Sequence, residues 1–434
     1  MSSPARVYLD HAATCPVRPE VAEQVREDLA AGLAGSANPA ARHASGRRAG
    51  ALLEQARARL AAALDVDPHE VILTSGGTEA DSLVVAGRVL AARAAGVPAP
   101  RLVTSPIEHP AVLDSARTAA EHLGAEHVQA PVDPAGRVLA DGLARAVSTG
   151  PVALVSIMTA NNETGIVQDM ATVVATVRAA SGQDRPGRGG YIPVHSDAVA
   201  ALGRVPVDVR GWGLDALSLS GHKLGAPVGT GALVARRDLE LICPTGGGRQ
   251  ERGLRSGTQD LVGARALALA VELAVAEQHE EATRLETLRS RVLEGATALP
   301  GVHATLPAEA PHLPGTAHLW FEEVSPEALL MSMDLAGIDA SAGSACHAGV
   351  SRPSHVLLAM GHGHEEARST LRVSMSLNTT DADVERLLAV LPGALAAARR
   401  AHTPRSGDMT PRDRDRGHLE IKSGMSALNE AGVI

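Results

Sequence analysis

The stretch Val71-Ile72-Leu73-Thr74-Ser75-Gly76-Gly77-Thr78-Glu79 joins a short apolar run to a glycine turn. The apolar run predicts a buried strand, and the residues from Gly76 to Ala95 have the pattern of a helix. The same alternation continues, with strands predicted at 102–104, 152–158, 191–195, 216–219 and 231–235, and helices at 111–122 and 170–180. Strands that alternate with helices indicate an α/β fold with a mostly parallel central sheet flanked by helices.

The second half of the chain predicts a smaller α+β unit. A long helical region at 261–299 is expected to join it to the sheet domain, with strands near residues 303, 318 and 371 and helices at 325–336 and 381–398. We expect a large domain at residues 15–262 and a small domain formed by residues 1–14 and 263–402. Residues 403–434 mix Pro, Arg, Asp and Gly, which is typical of a flexible tail.

Composition excludes several classes of protein. The 434 residues carry a net charge of -9 without a basic block, and they include only two Trp, two Tyr and one Phe. Direct binding of nucleic acid is therefore not expected. No apolar run reaches the length of a membrane span, and the N-terminus lacks an apolar signal core. Three widely spaced cysteines indicate a reducing, cytoplasmic location and no metal site.

Lysine is almost absent from this arginine-rich chain. Only Lys223 and Lys422 occur, and Lys422 belongs to the polar tail. Lys223 ends the segment Leu217-Ser218-Leu219-Ser220-Gly221-His222-Lys223, directly after a predicted strand. Arginine stays protonated, whereas a partly buried lysine can lose its proton and form a Schiff base. The alternative is that Lys223 is a chance survivor of the composition.

Further polar groups follow the predicted strands, where parallel sheets bind ligands. Residues 75–79 can cradle a phosphate at a helix N-terminus, or form an ordinary turn. Asp197 can hold a protonated ring nitrogen, or cap a helix. His109 can stack on a ring and move protons, or start a helix before Pro110. Residues 161–165 can bind a carboxylate or phenolic oxygen through amide groups, or form a turn.

Cys346 lies in a segment of small residues, Ser341-Ala342-Gly343-Ser344-Ala345-Cys346-His347-Ala348-Gly349. An exposed thiol beside a histidine is a candidate nucleophile, and the alternative is an inert surface cysteine. We expect His347 to lower the pKa of this thiol. Cys15 and Cys243 fit structural roles better.

In this order, the motifs resemble those of the NifS/IscS-like cysteine desulfurases in the aminotransferase class V family of pyridoxal-phosphate enzymes of fold type I. The resemblance runs from residue 8 to about residue 400. It rests on residues 8–14, 38–39, 74–79, 108–109, 156–158, 161–165, 195–197, 218–223, 246–248, 255–258, 341–346 and 353–357. It implies pyridoxal 5'-phosphate as cofactor, L-cysteine as substrate, a homodimer and a sulfur-acceptor protein as partner.

The resemblance also implies a role for each matching residue. Lys223 would form the Schiff base and later take the Cα proton of the substrate, while Asp197 would pair with the ring nitrogen and His109 would stack on the ring. The Cys346 thiolate would attack the substrate sulfur, which leaves a persulfide and releases alanine. The remaining contacts would come from Gly77, Thr78, Ser220 and His222 at the phosphate, Thr258 of the neighbouring subunit at the same phosphate, Asn162 at the cofactor and substrate, and Arg372 at the substrate carboxylate.

One departure from the family pattern leaves other functions open. Ala200 stands where the family usually has glutamine, which removes a hydrogen bond to the phenolic oxygen of the ring unless water or Asn162 supplies it. A selenocysteine or cystine lyase of the same fold would not require Cys346, and a weakly active sulfur-transfer scaffold would fit Ala200. The acceptor can be an iron–sulfur scaffold, a tRNA-modifying enzyme or another biosynthetic enzyme.

Overall fold

The computed structural model describes residues 6–33, 35, 37–183, 190–343 and 352–402. The strands are β1 (Val7–Tyr8), β2 (Val71–Thr74), β3 (Arg101–Thr104), β4 (Glu126–Gln129), β5 (Val152–Ser156), β6 (Val194–Asp197), β7 (Ala216–Ser220), β8 (Gly231–Ala235), β9 (Val302–Ala304), β10 (Thr316–Phe321), β11 (Ile338–Asp339) and β12 (Thr370–Ser374). The helices are α1 (Pro19–Ala30), α2 (Ala44–Ala63), α3 (Gly77–Ala94), α4 (Pro110–Leu123), α5 (Ala140–Ser148), α6 (Met170–Ser181), α7 (Val209–Trp212), α8 (Leu261–Thr297), α9 (Pro326–Leu335), α10 (His355–Ala359) and α11 (Asp381–Ala401).

A seven-stranded sheet forms the centre of the molecule, in the order β2-β8-β7-β6-β5-β3-β4. All neighbours from β7 to β4 pair in parallel, and only β8 runs antiparallel to both of its neighbours. The predicted α/β class with a mostly parallel sheet is therefore confirmed. Because β3, β5, β6 and β7 run in one direction, the loops that follow them converge at one edge of the sheet.

Strand and helix boundaries differ from the sequence predictions in a few places. The strand predicted at 152–158 ends at Ser156, and the one predicted at 191–195 begins at Val194, because Pro193 has no amide hydrogen for the ladder. The sequence did not predict helices α1, α2, α5, α7 and α10 or strands β1, β4 and β11. In α2 the buried positions include Ala49, Leu53, Ala56 and Leu60, and alanine at half of these positions weakens the apolar pattern.

A second layer of structure lies beyond the long helix α8. Its three-stranded antiparallel sheet has the order β12-β10-β9, and β1 pairs in parallel with β11. The first half of α8 packs into the core of the large sheet, whereas Leu285, Leu288 and Val292 pack into a separate core that also contains Val7 and Leu9. We propose that residues 15–262 form one domain and that residues 1–14 and 263–402 form the other, with the first half of α8 packed against the large domain. Among the described helices, none is both long and apolar enough to cross a membrane.

Candidate active site

A cavity of about 270 Å³ lies at the carboxyl ends of β5, β6 and β7 and beside the first turn of α3. It is lined by Gly77, Thr78, Asp81, His109, Met158, Asn162, Asp197, Val199, Ala200, Ser220, His222 and Lys223. Eight of the eleven candidate residues from the sequence are in this set: Gly77, Thr78, His109, Asn162, Asp197, Ser220, His222 and Lys223. Thr258 and Arg372 do not line the cavity, and Cys346 lies outside the described residues.

The start of α3 forms a cradle for an anion. Gly76 has a φ of 157°, which glycine adopts readily, and it directs the chain into the helix. A Cβ on Gly77 would lie 2.6 Å from Val199 Cγ2, so only glycine fits there without a shift. The first amide groups of a helix lack intrahelical acceptors and carry partial positive charge. With the hydroxyls of Thr78 and Ser220, these donors suit a phosphate.

Lys223 reaches the cavity from a short 3-10 turn, Gly221–Lys223, that follows β7. Its Nζ donates hydrogen bonds to the carbonyl oxygens of Ala12 and Ala13, the latter at 2.7 Å. Burial lowers the pKa of Lys223 from its ordinary value to about 8, and the positive charges of Arg372 and Arg204 add to this effect. About one Lys223 side chain in ten is therefore a neutral amine at pH 7, the form that a Schiff-base lysine requires.

Asp197 ends β6 with its carboxyl group almost completely buried. Its Oδ1 accepts a hydrogen bond of 2.8 Å from the Val199 amide, so it makes the local turn contact and lines the cavity at the same time. Burial raises the pKa of Asp197, whereas His109 and Lys223 oppose this shift. A buried carboxyl group that faces a cavity favours a cationic partner there, such as a protonated ring nitrogen.

Asp81 is a second buried carboxyl group in the cavity wall that the sequence did not reveal. It lies on α3, and its Oδ1 has no hydrogen-bond partner within the described part of the chain. Burial raises the pKa of Asp81 well above its ordinary value, and the neighbouring charge of Asp197 raises it further. Asp81 is therefore expected to stay protonated, which leaves the negative charge on Asp197. Its position one helical turn after Gly77 was the only sequence signal for it.

Both histidines of the cavity are expected to be neutral. His109 caps α4, with Nδ1 accepting a hydrogen bond of 3.1 Å from the Ala111 amide, and burial lowers its pKa. Its helix-capping and ring-stacking interpretations are thus compatible. Burial, followed by the charge of Lys223, lowers the pKa of His222 to about 4. Neutral imidazoles can donate hydrogen bonds or cover a ring without competing with Lys223 for charge.

Arg372 lies behind the cavity wall rather than in it. It is buried in β12, donating from Nη1 to the Asn162 carbonyl at 2.9 Å and from Nη2 to Asp10 Oδ1 at 2.7 Å. Its buried Nε has no acceptor among the residues described. The structure thus brings the two predicted carboxylate-binding residues together, with Asn162 at the surface of the cavity and Arg372 beside it.

The structure also gives the positions of Ala200 and Thr258, two residues singled out from the sequence. Ala200 lines the cavity with a methyl group, so the expected amide is missing from that wall. Thr258 is exposed in the loop before α8, and Arg255 of the same loop pairs with Glu79 of α3 at 3.1 Å. His347, like Cys346, lies outside the described residues, so its expected effect on the thiol stays a prediction.

The sequence matches the model of the aminotransferase class V family over residues 7–387. An IscS-like cysteine desulfurase from Mycobacterium tuberculosis is 43% identical over 402 residues, which cover 92% of this chain and 99% of that relative. A cysteine desulfurase from Gluconacetobacter diazotrophicus is 39% identical over 91% of this chain and 94% of its own length.

Solved structures agree with these sequence relationships. A NifS-like protein superposes with a TM-score of 0.80 at 31% identity, covering 90% of this chain and 99% of its own. DndA from Streptomyces lividans superposes with a TM-score of 0.70 at 34% identity, covering 85% of this chain and 99% of its own. The fold type expected from the resemblance is therefore confirmed.

The cavity fits pyridoxal 5'-phosphate on its own chemistry. It offers a helix N-terminus and hydroxyls for a phosphate, a buried carboxyl group for a ring nitrogen, a neutral imidazole for a ring face and a lysine with a lowered pKa for an aldehyde. No single group decides this assignment, but one cavity brings all of these groups together. The chain belongs to the aminotransferase class V family of pyridoxal-phosphate-dependent enzymes, among the cysteine desulfurases of the IscS and NifS type.

Proposed function

We propose that this enzyme converts L-cysteine to L-alanine, with Cys346 receiving the sulfur as a persulfide and passing it to an acceptor protein. The observation that carries the proposal is Lys223, whose amine has a pKa lowered to about 8 and lies in one cavity with Asp197 and His109. The cofactor, when bound, supplies an electron-accepting ring.

The residues of the cavity divide into a phosphate group and a ring group. We assign Gly77, Thr78, Ser220 and His222 to the phosphate, and their place around the first turn of α3 supports this assignment. Asp197 would hold a proton at the ring nitrogen, and His109 would cover one face of the ring. Ala200 contributes no hydrogen bond, so Asn162 or water would have to reach the phenolic oxygen.

Lys223 is the base of the proposed reaction. Its Nζ, as a neutral amine, would remove the Cα proton of L-cysteine and return a proton during turnover. Arg372, with Asn162, would hold the substrate carboxylate, and the hydrogen bond from Arg372 Nη1 to the carbonyl of Asn162, which lines the cavity, supports this role. This contact would orient the Cα proton towards Lys223.

The sulfur step balances without an added oxidant. The Cys346 thiolate would attack the substrate sulfur, forming an S–S bond while the substrate C–S bond breaks and its electrons stay with the substrate carbon. Protonation of that carbon yields alanine. L-cysteine and the Cys346 thiol thus give L-alanine and a Cys346 persulfide, and an acceptor thiol then removes the outer sulfur.

A homodimer would complete the phosphate site. We propose that Thr258 of the partner subunit contributes its hydroxyl, and its exposure on a loop tied to α3 by the Arg255–Glu79 pair supports this arrangement. The exposed Val228, with 77% of its surface accessible, lies in the loop between Lys223 and β8 and would be covered by a partner. We also propose a cytoplasmic location, which the free thiols of Cys15 and Cys243 support.

Alanine release tests the proposed reaction. The wild type, Cys346→Ala and the matched control Cys243→Ala are each incubated with L-cysteine and a reductant. Cys243 is a suitable control because its thiol donates to the Thr245 carbonyl and does not line the cavity. We expect alanine from the wild type and the control but not from Cys346→Ala. Equal release from all three proteins would remove Cys346 from the reaction and favour a lyase.

A further inference from the structure

Two buried titratable side chains lie next to Arg372 and outside the cavity wall. Glu163 is in the turn after β5 and His318 is in β10, and each is 3% exposed. Glu163 Oε1 and His318 Nε2 are 3.9 Å apart, and neither atom has a hydrogen-bond partner in the described structure. The other ring nitrogen, His318 Nδ1, bonds to Thr305 Oγ1 at 2.7 Å. Two unpaired polar atoms that face each other in a buried site suggest a shared proton.

The pair reaches Arg372 from two sides. His318 is the direct cross-strand partner of Arg372 in the β10–β12 ladder. On the other side, Arg372 donates to the carbonyl of Asn162, the residue that precedes Glu163. The positive charge of Arg372 also acts on both members of the pair. A change in the pair would therefore alter the position and charge environment of the guanidinium group.

The pair also contacts the chain on both sides of residues 344–351. A Cβ on Gly343 would lie 2.7 Å from Glu163 Cγ and 2.9 Å from His318 Nε2, so the backbone of Gly343 packs directly on the two side chains. On the far side, the Ser354 hydroxyl lies near enough to the Glu163 carboxyl group to favour its ionised form and lower its pKa. Gly343, before residues 344–351, and Ser354, after them, thus both lie near Glu163.

We propose that Glu163 and His318 act as one buried pair that positions both Arg372 and the chain on either side of residues 344–351, which contain Cys346. They are positioning residues, since neither lines the cavity. The inference deepens the proposed function, on which the roles of Arg372 and Cys346 rest. It links capture of the substrate carboxylate and delivery of the thiol to one buried support.

The protonation of Glu163 gives this support a pH dependence. Burial raises the pKa of Glu163 to about 7, although Ser354 and Arg372 act in the opposite direction, and burial lowers the pKa of His318 to about 3. Below pH 7 the protonated carboxyl group can donate to neutral His318. Above pH 7 a carboxylate faces Arg372 and competes with the substrate carboxylate for its charge.

Other charged groups of the described structure also act near the pair. Asp10 already pairs with Nη2 of Arg372, and His362 acts on His318 from the loop after α10. Loss of the transition near pH 7 when Glu163 is replaced assigns that transition to Glu163 rather than to His362.

The test compares the wild type with Glu163→Gln, His318→Asn and the control Glu322→Gln. Glu322 forms an exposed pair with His303, at 2.9 Å, beside the same three-stranded sheet. The dissociation constant of L-alanine is measured from the visible absorbance of each holoenzyme between pH 6 and pH 8, together with the rate at which iodoacetamide alkylates Cys346. L-alanine binding needs no turnover, so this test is separate from that of the proposed function.

We expect the dissociation constant of the wild type and of Glu322→Gln to rise about fivefold from pH 6 to pH 8, as the nearby carboxylate ionises. Glu163→Gln keeps a hydrogen-bond donor but cannot ionise, so its dissociation constant should stay level. His318→Asn should weaken L-alanine binding at both pH values and change the alkylation rate of Cys346 about threefold, because Glu163 loses its acceptor.

Two results would overturn the inference. One is a pH dependence in Glu163→Gln that equals that of the wild type. The other is a His318→Asn variant whose L-alanine binding and Cys346 alkylation match those of the wild type. Thermal unfolding of each variant shows whether it is folded, and Glu163→Gln remains decisive if His318→Asn is not.

Discussion

The lowered pKa of Lys223 predicts how fast the cofactor-free enzyme takes up pyridoxal 5'-phosphate at different pH values. A lysine with a pKa of about 8 is neutral in about one molecule in ten at pH 7. An ordinary lysine with a pKa of 10.5 is neutral in about one molecule in three thousand. Since only the neutral amine attacks the aldehyde, the structure predicts an advantage of about 300-fold at pH 7.

The assay follows the visible absorbance after mixing apoenzyme with the cofactor between pH 6.5 and pH 10. We expect the rate to rise up to about pH 8 and then to level off, since Lys223 is by then mostly neutral. Replacing Arg204 with Gln removes one of the positive charges that lower the pKa of Lys223, so the plateau should move to higher pH. A rate in the wild type that continues to rise to pH 10 would refute the burial argument.

Three further comparisons of variants test the cavity. Asp197→Asn should weaken cofactor binding by about 2 kcal/mol, or roughly 30-fold, whereas Asp81→Asn should change it by less than about threefold, because Asp81 is expected to be uncharged. Equilibrium dialysis measures both affinities, and equal losses in the two variants would contradict the assignment of the negative charge to Asp197. Gly77→Ala should weaken cofactor binding about tenfold through the contact with Val199, and adding Val199→Ala should restore it in the same assay. Ala200→Gln should raise kcat for alanine release by supplying the missing amide, and an unchanged or lower kcat would show that another group already fills this role.

The central sheet could be predicted from the sequence because its strands are buried on both faces and appear as short apolar runs, as in Val71–Thr74. Helices such as α2 could not, because alanine and arginine at many positions hide the buried stripe. The edge strand β4 has no fully buried residue and so offers little pattern.

The cavity could be anticipated for a topological reason. Lys223 and Asn162 each follow a parallel strand and Asp197 ends one, and the carboxyl ends of such strands meet at one edge of the sheet. Glu163 and His318 are 155 positions apart in sequence, and only the packing of β10 against the turn after β5 brings them together. Asp81 carried no signal beyond its place on α3, because its burial depends on strands far along the chain.

We propose above that Lys223 and Cys346 act in one reaction on L-cysteine. Mass spectrometry of the peptide that contains Cys346, after the holoenzyme has met L-cysteine without reductant, tests it most directly. We predict one additional sulfur atom on Cys346 in the wild type, with an equal amount of alanine, and neither product from Lys223→Arg. Alanine formed without any persulfide on Cys346 would contradict the account.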